Sequence, residues 1–320
     1  MKIALIGYGQ VGRAFAAQLE AQRRSYPFRI TAIHTRSGTA YDPKGLPITP
    51  EFGPPAPSID AFLDAASPEV VIEITSLNPL DGEPATAYIR AAFARGLPVI
   101  TSNKGPVAHA YRVLREEAAA RNILFRFEST VMDGSPVFNM VRQCLPGVRI
   151  DGFSGVLNST TKVVLTSIAN GGSLAEGILE AQELGIAEED PSYDIDGWDS
   201  AAKTAILANV LMDANVTPQM VQRRGIREVT LADIRAAAAD GKAIALVSRG
   251  TRAPDGTVSL TTNPERLPQD HLLANISGTS NVLLLHTDLM GTQGIVSIAP
   301  GVAQTAYGLF SDLVDIAKHL

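Results

Sequence analysis

The feature that most constrains this chain sits at its start. Lys2-Ile3-Ala4-Leu5-Ile6 reads as a short buried strand, and Gly7-Tyr8-Gly9-Gln10-Val11-Gly12 comes directly after it. A G-x-G-x-x-G run alone is a weak signal, since glycines are common in turns. Between a strand and a helix predicted near Val11 to Gln22 it is a strong one. Gly7 then permits a tight turn, Gly9 lets the backbone approach a pyrophosphate, and Gly12 lets helix and strand pack closely. The helix N-terminus, opened by Gln10 and Val11, offers unpaired N–H groups and a positive dipole to phosphates. The bland alternative is a glycine turn without a ligand.

The remainder of the N-terminal third repeats the alternation. Strands are predicted at Arg29–His34, Val70–Ile74, Pro98–Thr101 and Ile123–Phe127, with helices near 82–95 and 106–121, and the Gly- and Pro-rich stretch 38–58 reads as loop. Strands alternating with helices of these lengths imply parallel βαβ units with right-handed crossovers. The middle of the chain changes character. Strands are predicted at 152–157, 228–230, 243–248, 258–261 and in the run 281–298, and helices near 161–170, 173–184, 198–213 and 231–239. The absence of regular βαβ spacing there suggests an α+β substrate domain. A closing helix is expected within 301–320, from Leu309, Leu313 and Ile316 at helical spacing. The 320 residues suggest about two domains.

Composition narrows the partners. Lys and Arg total 27 against 33 Asp and Glu, a net charge of −6. With no Lys/Arg-rich run, this argues against nucleic acid. The single cysteine, Cys144, excludes an internal disulfide framework and a cysteine zinc cluster. No apolar run reaches the ~20 residues that span a bilayer, so a soluble, cytoplasmic protein is expected. His271, His286 and His319 lack metal-ligand spacing.

Cofactor choice turns on the end of the second strand. NAD sites usually place Asp or Glu there for the ribose 2′-hydroxyl, but this chain reads His34-Thr35-Arg36-Ser37. Arg36 matches a 2′-phosphate instead, which favours NADP over NAD; the alternative is a solvated loop arginine.

Two further clusters carry chemistry. Thr101-Ser102-Asn103-Lys104-Gly105-Pro106 lies at the C-terminal end of the fourth strand, the edge where open α/β sheets bind ligands. Residues 188–199, EEDPSYDIDGWD, hold six carboxylates in twelve residues. A helix predicted from Trp198 carries Asp199 and Lys203 at i, i+4, on one face. An acidic loop followed by an ordinary surface ion pair, worth a few tenths of a kcal/mol, is the reading that composition alone favours.

Together these segments resemble homoserine dehydrogenases over nearly the whole chain. The resemblance rests on GYGQVG, Glu73 with Thr75-Ser76, TSNKGP at 101–106, Glu128 to Val131 with Gly134 and Pro136, GVLNSTTKVVL at 155–165, AEEDPSYDIDGWDSAAK at 187–203 and APGVAQTAYGLFSDL at 299–313. It is to the short form, without a C-terminal regulatory domain, so threonine feedback through such a domain is not expected. It implies an α/β fold: a Rossmann-type nucleotide-binding domain over 1–130, an α+β substrate-binding and dimerisation domain over 131–300, and a helix at 301–320 returning to the first domain. A homodimer acting on a small molecule is implied, with reversible hydride transfer between L-homoserine and L-aspartate 4-semialdehyde using NAD(P). By the same resemblance, Glu188 and Asp199 bind the substrate, Lys203 is the proton donor or acceptor, and Lys104 is the other active-site lysine, near the nicotinamide. Thr75 or Ser76, and Gly301, match cofactor contacts. Backbone carbonyls of Glu128, Val131, Asp133 and Ser135 match a sodium site. Chemistry agrees, since hydride addition to an aldehyde develops negative charge on oxygen that an ammonium can stabilise or protonate. Asp133, Ser159 and Lys162 depart from the family pattern. Lys162 adds a positive charge to the active-site neighbourhood. These departures keep open a paralogue acting on another small hydroxy or amino acid. A non-catalytic dinucleotide sensor is the third reading, disfavoured because binding alone would not need both lysines.

Overall fold

The computed structural model describes all 320 residues. The chain divides into two compact units, Met1–Pro136 with Gly301–Leu320, and Val137–Pro300.

In the first unit, β1 (Lys2–Ile6) is buried at four of its five positions, as expected of a central strand covered on both faces. Then come α1 (Gln10–Gln22), β2 (Arg29–His34), β3 (Thr39–Tyr41), α2 (Ile59–Ala66), β4 (Val70–Glu73), α3 (Ala85–Ala94), β5 (Val99–Thr101), α4 (Lys104–Ala120) and β6 (Phe125–Arg126). The sheet order is β3-β2-β1-β4-β5-β6, parallel except for β3. The chain reverses its winding between β1 and β4, the switch point where such sheets bind dinucleotides. β3 corrects the expectation of loop throughout 38–58: Thr39–Tyr41 pairs antiparallel with Ala32–His34.

In the second unit, α5 (Val137–Cys144) leads to β7 (Ile150–Val156), α6 (Ser159–Ala169), α7 (Leu174–Glu183), the single turn α8 (Ser192–Ile195) and α9 (Trp198–Met212). After these come β8 (Gln222–Arg223), α10 (Leu231–Ala239), β9 (Lys242–Arg252), β10 (Val258–Pro268), β11 (Asn281–Thr287) and β12 (Gly291–Ser297). Their sheet runs β12-β11-β7-β9-β10-β8 and is antiparallel apart from the β10–β8 pair. No strand forms at 228–230. Thr230 caps α10 instead, its hydroxyl accepting from the Asp233 N–H while Asp233 accepts from the Thr230 N–H. That reciprocal cap outweighs the β-propensity of Val-Thr.

The closing helix, α11 (Val302–Ala317), belongs to the first unit. Its Leu309, Leu313 and Ile316 share a buried core with Ile3, Leu5, Phe15 and Leu19. The α1 residues Phe15 and Leu19 are one turn apart and face that core, with Gly12 one turn before them also buried.

Candidate active site

The nucleotide turn is built on glycine stereochemistry. Gly7 has φ of 98°, and a Cβ there would lie 2.5 Å from the Ile74 carbonyl oxygen. Its N–H donates to the His34 carbonyl at 2.8 Å, tying the turn to the end of β2. At Gly12 a Cβ would meet the Ile74 and Tyr8 side chains at 3.1 Å. Gly9 differs: no atom lies within 4 Å of where its Cβ would be, so it faces open space. Gly9 also caps α1 without a side-chain hydrogen bond, which leaves the first amides, Gln10, Val11 and Gly12, for a ligand. A cavity of about 550 Å³ opens here, lined by Gly7, Gly9, Arg36, Ser37, Thr75 and Ser76 among others. These features fit a pyrophosphate.

At the end of β2 no carboxylate is present. Burial lowers the pKa of His34, and its Nδ1 is buried without a partner. Arg36 is exposed and lines the cavity with no hydrogen bond or ion pair. Arg13, not singled out from the sequence, lines the same cavity from the first turn of α1. Thr75 spends its hydroxyl on Glu73 at 2.5 Å, whereas Ser76 is exposed. Lys104 opens α4, half-buried, behind the Asn103 cap. Gly301 opens α11, its N–H donating to Gln304 Oε1 at 3.0 Å.

The four residues matched to a sodium site lie just after β6. Glu128 and Val131 are buried. Asp133 turns the chain with φ of 54°, and its carboxylate accepts from the Thr305 hydroxyl at 3.3 Å. The Ser135 N–H donates to the Met132 carbonyl at 2.9 Å.

In the second unit, α9 is buried along most of its length because small residues, Ala201, Ala202, Ala205 and Ala208, let neighbours close on it. Asp199 and Lys203 therefore do not form a surface pair. Lys203 Nζ meets Asp199 Oδ2 at 2.9 Å, with side chains only 15% and 8% exposed, and donates to the Leu157 carbonyl at 2.6 Å. Asn158 caps α6, its Oδ1 accepting from the Thr161 N–H. That leaves its amide nitrogen to donate to Asp199 Oδ2 at 3.0 Å and Asp194 Oδ1 at 2.6 Å. Thr160 donates to Asp194 Oδ2 at 3.0 Å. Burial, then the Asp199 charge, pushes the Asp194 carboxyl up.

The acidic stretch thus separates by role. Asp190 accepts from the Ser192 N–H, and Asp196 takes Arg227 at 2.7 and 3.1 Å. Asp194 and Asp199 face Asn158. Glu188 and Glu189 are exposed, and the Glu188 side chain makes no hydrogen bond or ion pair. Asp194 and Asn158 join the site without having been singled out for it; the signal was their place in the same two motifs. Lys162 Nζ donates to the Ser280 carbonyl and to Asn281 Oδ1. Lys162, one turn along α6 from Asn158, thus bonds the start of β11.

Two family models match the chain. Residues 136–314 match the homoserine dehydrogenase model, and residues 7–128 match the homoserine dehydrogenase NAD-binding domain. The chain belongs to the homoserine dehydrogenase family. An NAD(+)-dependent homoserine dehydrogenase of Pseudomonas canavaninivorans is 36% identical over 98% of this chain and 96% of that protein. A homoserine dehydrogenase of Methanocaldococcus jannaschii is 35% identical over 99% and 98%. Among solved structures, a hyperthermophilic archaeal homoserine dehydrogenase in complex with NADPH superposes with a TM-score of 0.85 at 28% identity, covering 100% of this chain and 98% of that one. The family's nicotinamide dinucleotide fits the open glycine cradle at Gly7–Gly12.

Proposed function

We propose that the chain catalyses reversible hydride transfer between L-homoserine and L-aspartate 4-semialdehyde, with NADP preferred over NAD. The buried cluster of Asp194, Asn158, Asp199 and Lys203 carries the reading. Two carboxylates beside one ammonium leave a site with excess negative charge, complementary to the ammonium of an amino-acid substrate. Asp199 binds that substrate, and Glu188, exposed on the 185–191 loop, is assigned as a further substrate carboxylate. Lys203 spends two of its three N–H donors on Asp199 and the Leu157 carbonyl. The third serves the substrate oxygen.

The bound dinucleotide supplies or accepts the hydride. Gly7 makes the turn, the amides of Gly9, Gln10, Val11 and Gly12 would hold its pyrophosphate, and Ser76, Gly301 and the Thr75 backbone would contact the rest. Arg36 takes the 2′-phosphate, and Lys104 serves the nicotinamide end. In the reducing direction, negative charge grows on the aldehyde oxygen, and Lys203 stabilises it and delivers the proton that completes the alcohol. In oxidation the same amine takes the hydroxyl proton. Relatives and neighbours are named with both NAD(+) and NADPH; the free guanidinium of Arg36 and the missing acid at the end of β2 support NADP here.

We also assign a monovalent cation to the carbonyls of Glu128, Val131, Asp133 and Ser135, because hard oxygen donors suit such an ion. Replacing choline by sodium in the assay is expected to raise the rate.

The deciding experiment mixes purified protein with NADPH or NADH and a panel of aldehydes, following absorbance of the reduced cofactor. Turnover of aspartate semialdehyde is expected, with kcat/KM favouring NADPH by about tenfold, the equivalent of ~1.4 kcal/mol. Arg36→Ser is expected to erase that preference. Turnover confined to another aldehyde would overturn the substrate, and cofactor binding without any turnover would favour a sensor.

A further inference from the structure

Glu73 is the last residue of β4 and is fully buried. A strand in the centre of an apolar sheet gains nothing from a carboxylate as packing, since taking the charge from water is unfavourable unless it is hydrogen-bonded. Here the hydrogen bonds are specific. Oε1 accepts from the Thr75 N–H at 2.8 Å and from the Thr75 hydroxyl at 2.5 Å. Oε2 accepts from the Thr101 hydroxyl, at the end of β5, at 2.7 Å. The Thr101 Oγ1 accepts in turn from the Asn103 N–H at 2.9 Å. Asn103 closes the ring: its amide nitrogen donates to the Thr75 carbonyl at 3.3 Å, and its Oδ1 accepts from the Gly105 N–H at 3.0 Å. Lys104 lies between the two backbone positions so fixed.

We propose that Glu73 is a positioning residue: through this closed ring it locks the Thr75–Ser76 cofactor loop to the Asn103–Gly105 segment that carries Lys104. Both carboxylate oxygens are needed, because each serves a different loop. The ring runs from β4 through the Thr75 turn to the β5 edge and back, so a change at Glu73 loosens both loops together. Glycine geometry supports the same fixity. A Cβ at Gly105 would lie 2.8 Å from the Gly82 Cα, so the α4 entry is also pressed against the 78–82 turn. The kinetic consequence rests on the proposed nucleotide-binding role; the ring itself does not.

The test compares the wild type with Glu73→Gln and Thr101→Val in the full chain. Glutamine keeps the size but offers one acceptor oxygen where the carboxylate offers two. Glu73→Gln is expected to weaken cofactor binding about tenfold and lower kcat about tenfold, with KM for homoserine within twofold. It also speeds amide hydrogen exchange at Thr75, Asn103 and Gly105 with no cofactor present. Thr101→Val is expected to reproduce part of each effect, and reads the ring if Glu73→Gln fails to fold. A Phe93→Leu control, in the same unit's core, measures what lost stability alone does. Normal cofactor affinity and unchanged exchange in a folded Glu73→Gln would overturn the proposal. So would the same kinetic losses in a Phe93→Leu protein of equal Tm. Wild type that binds neither dinucleotide would sink the proposed function, and the exchange measurement would still decide the ring.

Discussion

Lys203 is held by two acceptors before a substrate arrives, and that shapes what its removal does. Lys203→Ala is expected to lower kcat by about 10²–10⁴-fold, the usual contribution of a positioned proton donor, while the cofactor Kd changes less than twofold; stopped-flow turnover beside fluorescence titration checks both. Asp194 sets a pH signature. Burial and the Asp199 charge raise its carboxyl, so the native state keeps this proton to higher pH than the unfolded chain. The stability lost on ionising it is nil below about pH 4, the ordinary aspartate value, and complete above the raised one. Asp194→Asn is therefore expected to raise Tm at pH 7. The difference should vanish near pH 4 in calorimetry. The Asp199–Lys203 spacing was legible in the sequence. Its burial was not, because the same i, i+4 pair sits on a wet or a dry helix depending on what packs around it. The role of Asp194 was hidden for the same reason.

At the level of elements, local rules succeeded where one periodicity dominated and failed where two competed. β1, β4 and the long helices follow their apolar patterns. β10 outruns the expected Val258–Thr261 and continues through Pro264 to Pro268. A proline is tolerated there because β8 pairs only with Thr261 and Thr262, leaving the strand an open edge beyond them. The 228–230 segment became a helix cap, a choice decided by Asp233 three residues on. Gly134 shows how tightly α11 meets the segment after β6: a Cβ would lie 1.9 Å from the Gln304 carbonyl oxygen and 2.8 Å from the Gly308 nitrogen, both backbone atoms. Gly134→Ala is expected to cost about 1–3 kcal/mol, the range for overpacking, read as a lower urea midpoint. A midpoint equal to that of the wild type would mean that α11 shifts freely.

For the whole molecule, charge and length leave less to decide. No helix is long and apolar enough to cross a membrane. We propose a homodimer formed through the second unit, consistent with Leu289, Met290, Val296 and Ile298 exposed on or beside β12 and with the prevalence of two-fold assemblies. Light scattering is expected to give about twice 33.9 kDa, and a monomer at micromolar concentration would refute it. What the sequence by itself determined is the dinucleotide turn, the βαβ alternation and the Asp199–Lys203 pair, because glycine stereochemistry and side-chain periodicity act over a few residues. Only the tertiary structure decided that α9 is buried, that Asn158 bridges two carboxylates, that Lys162 is engaged at β11 and that Glu73 closes a ring. Each depends on residues roughly 30 to 120 positions apart, and desolvation and hydrogen-bond satisfaction take their values only when such distant groups are brought together.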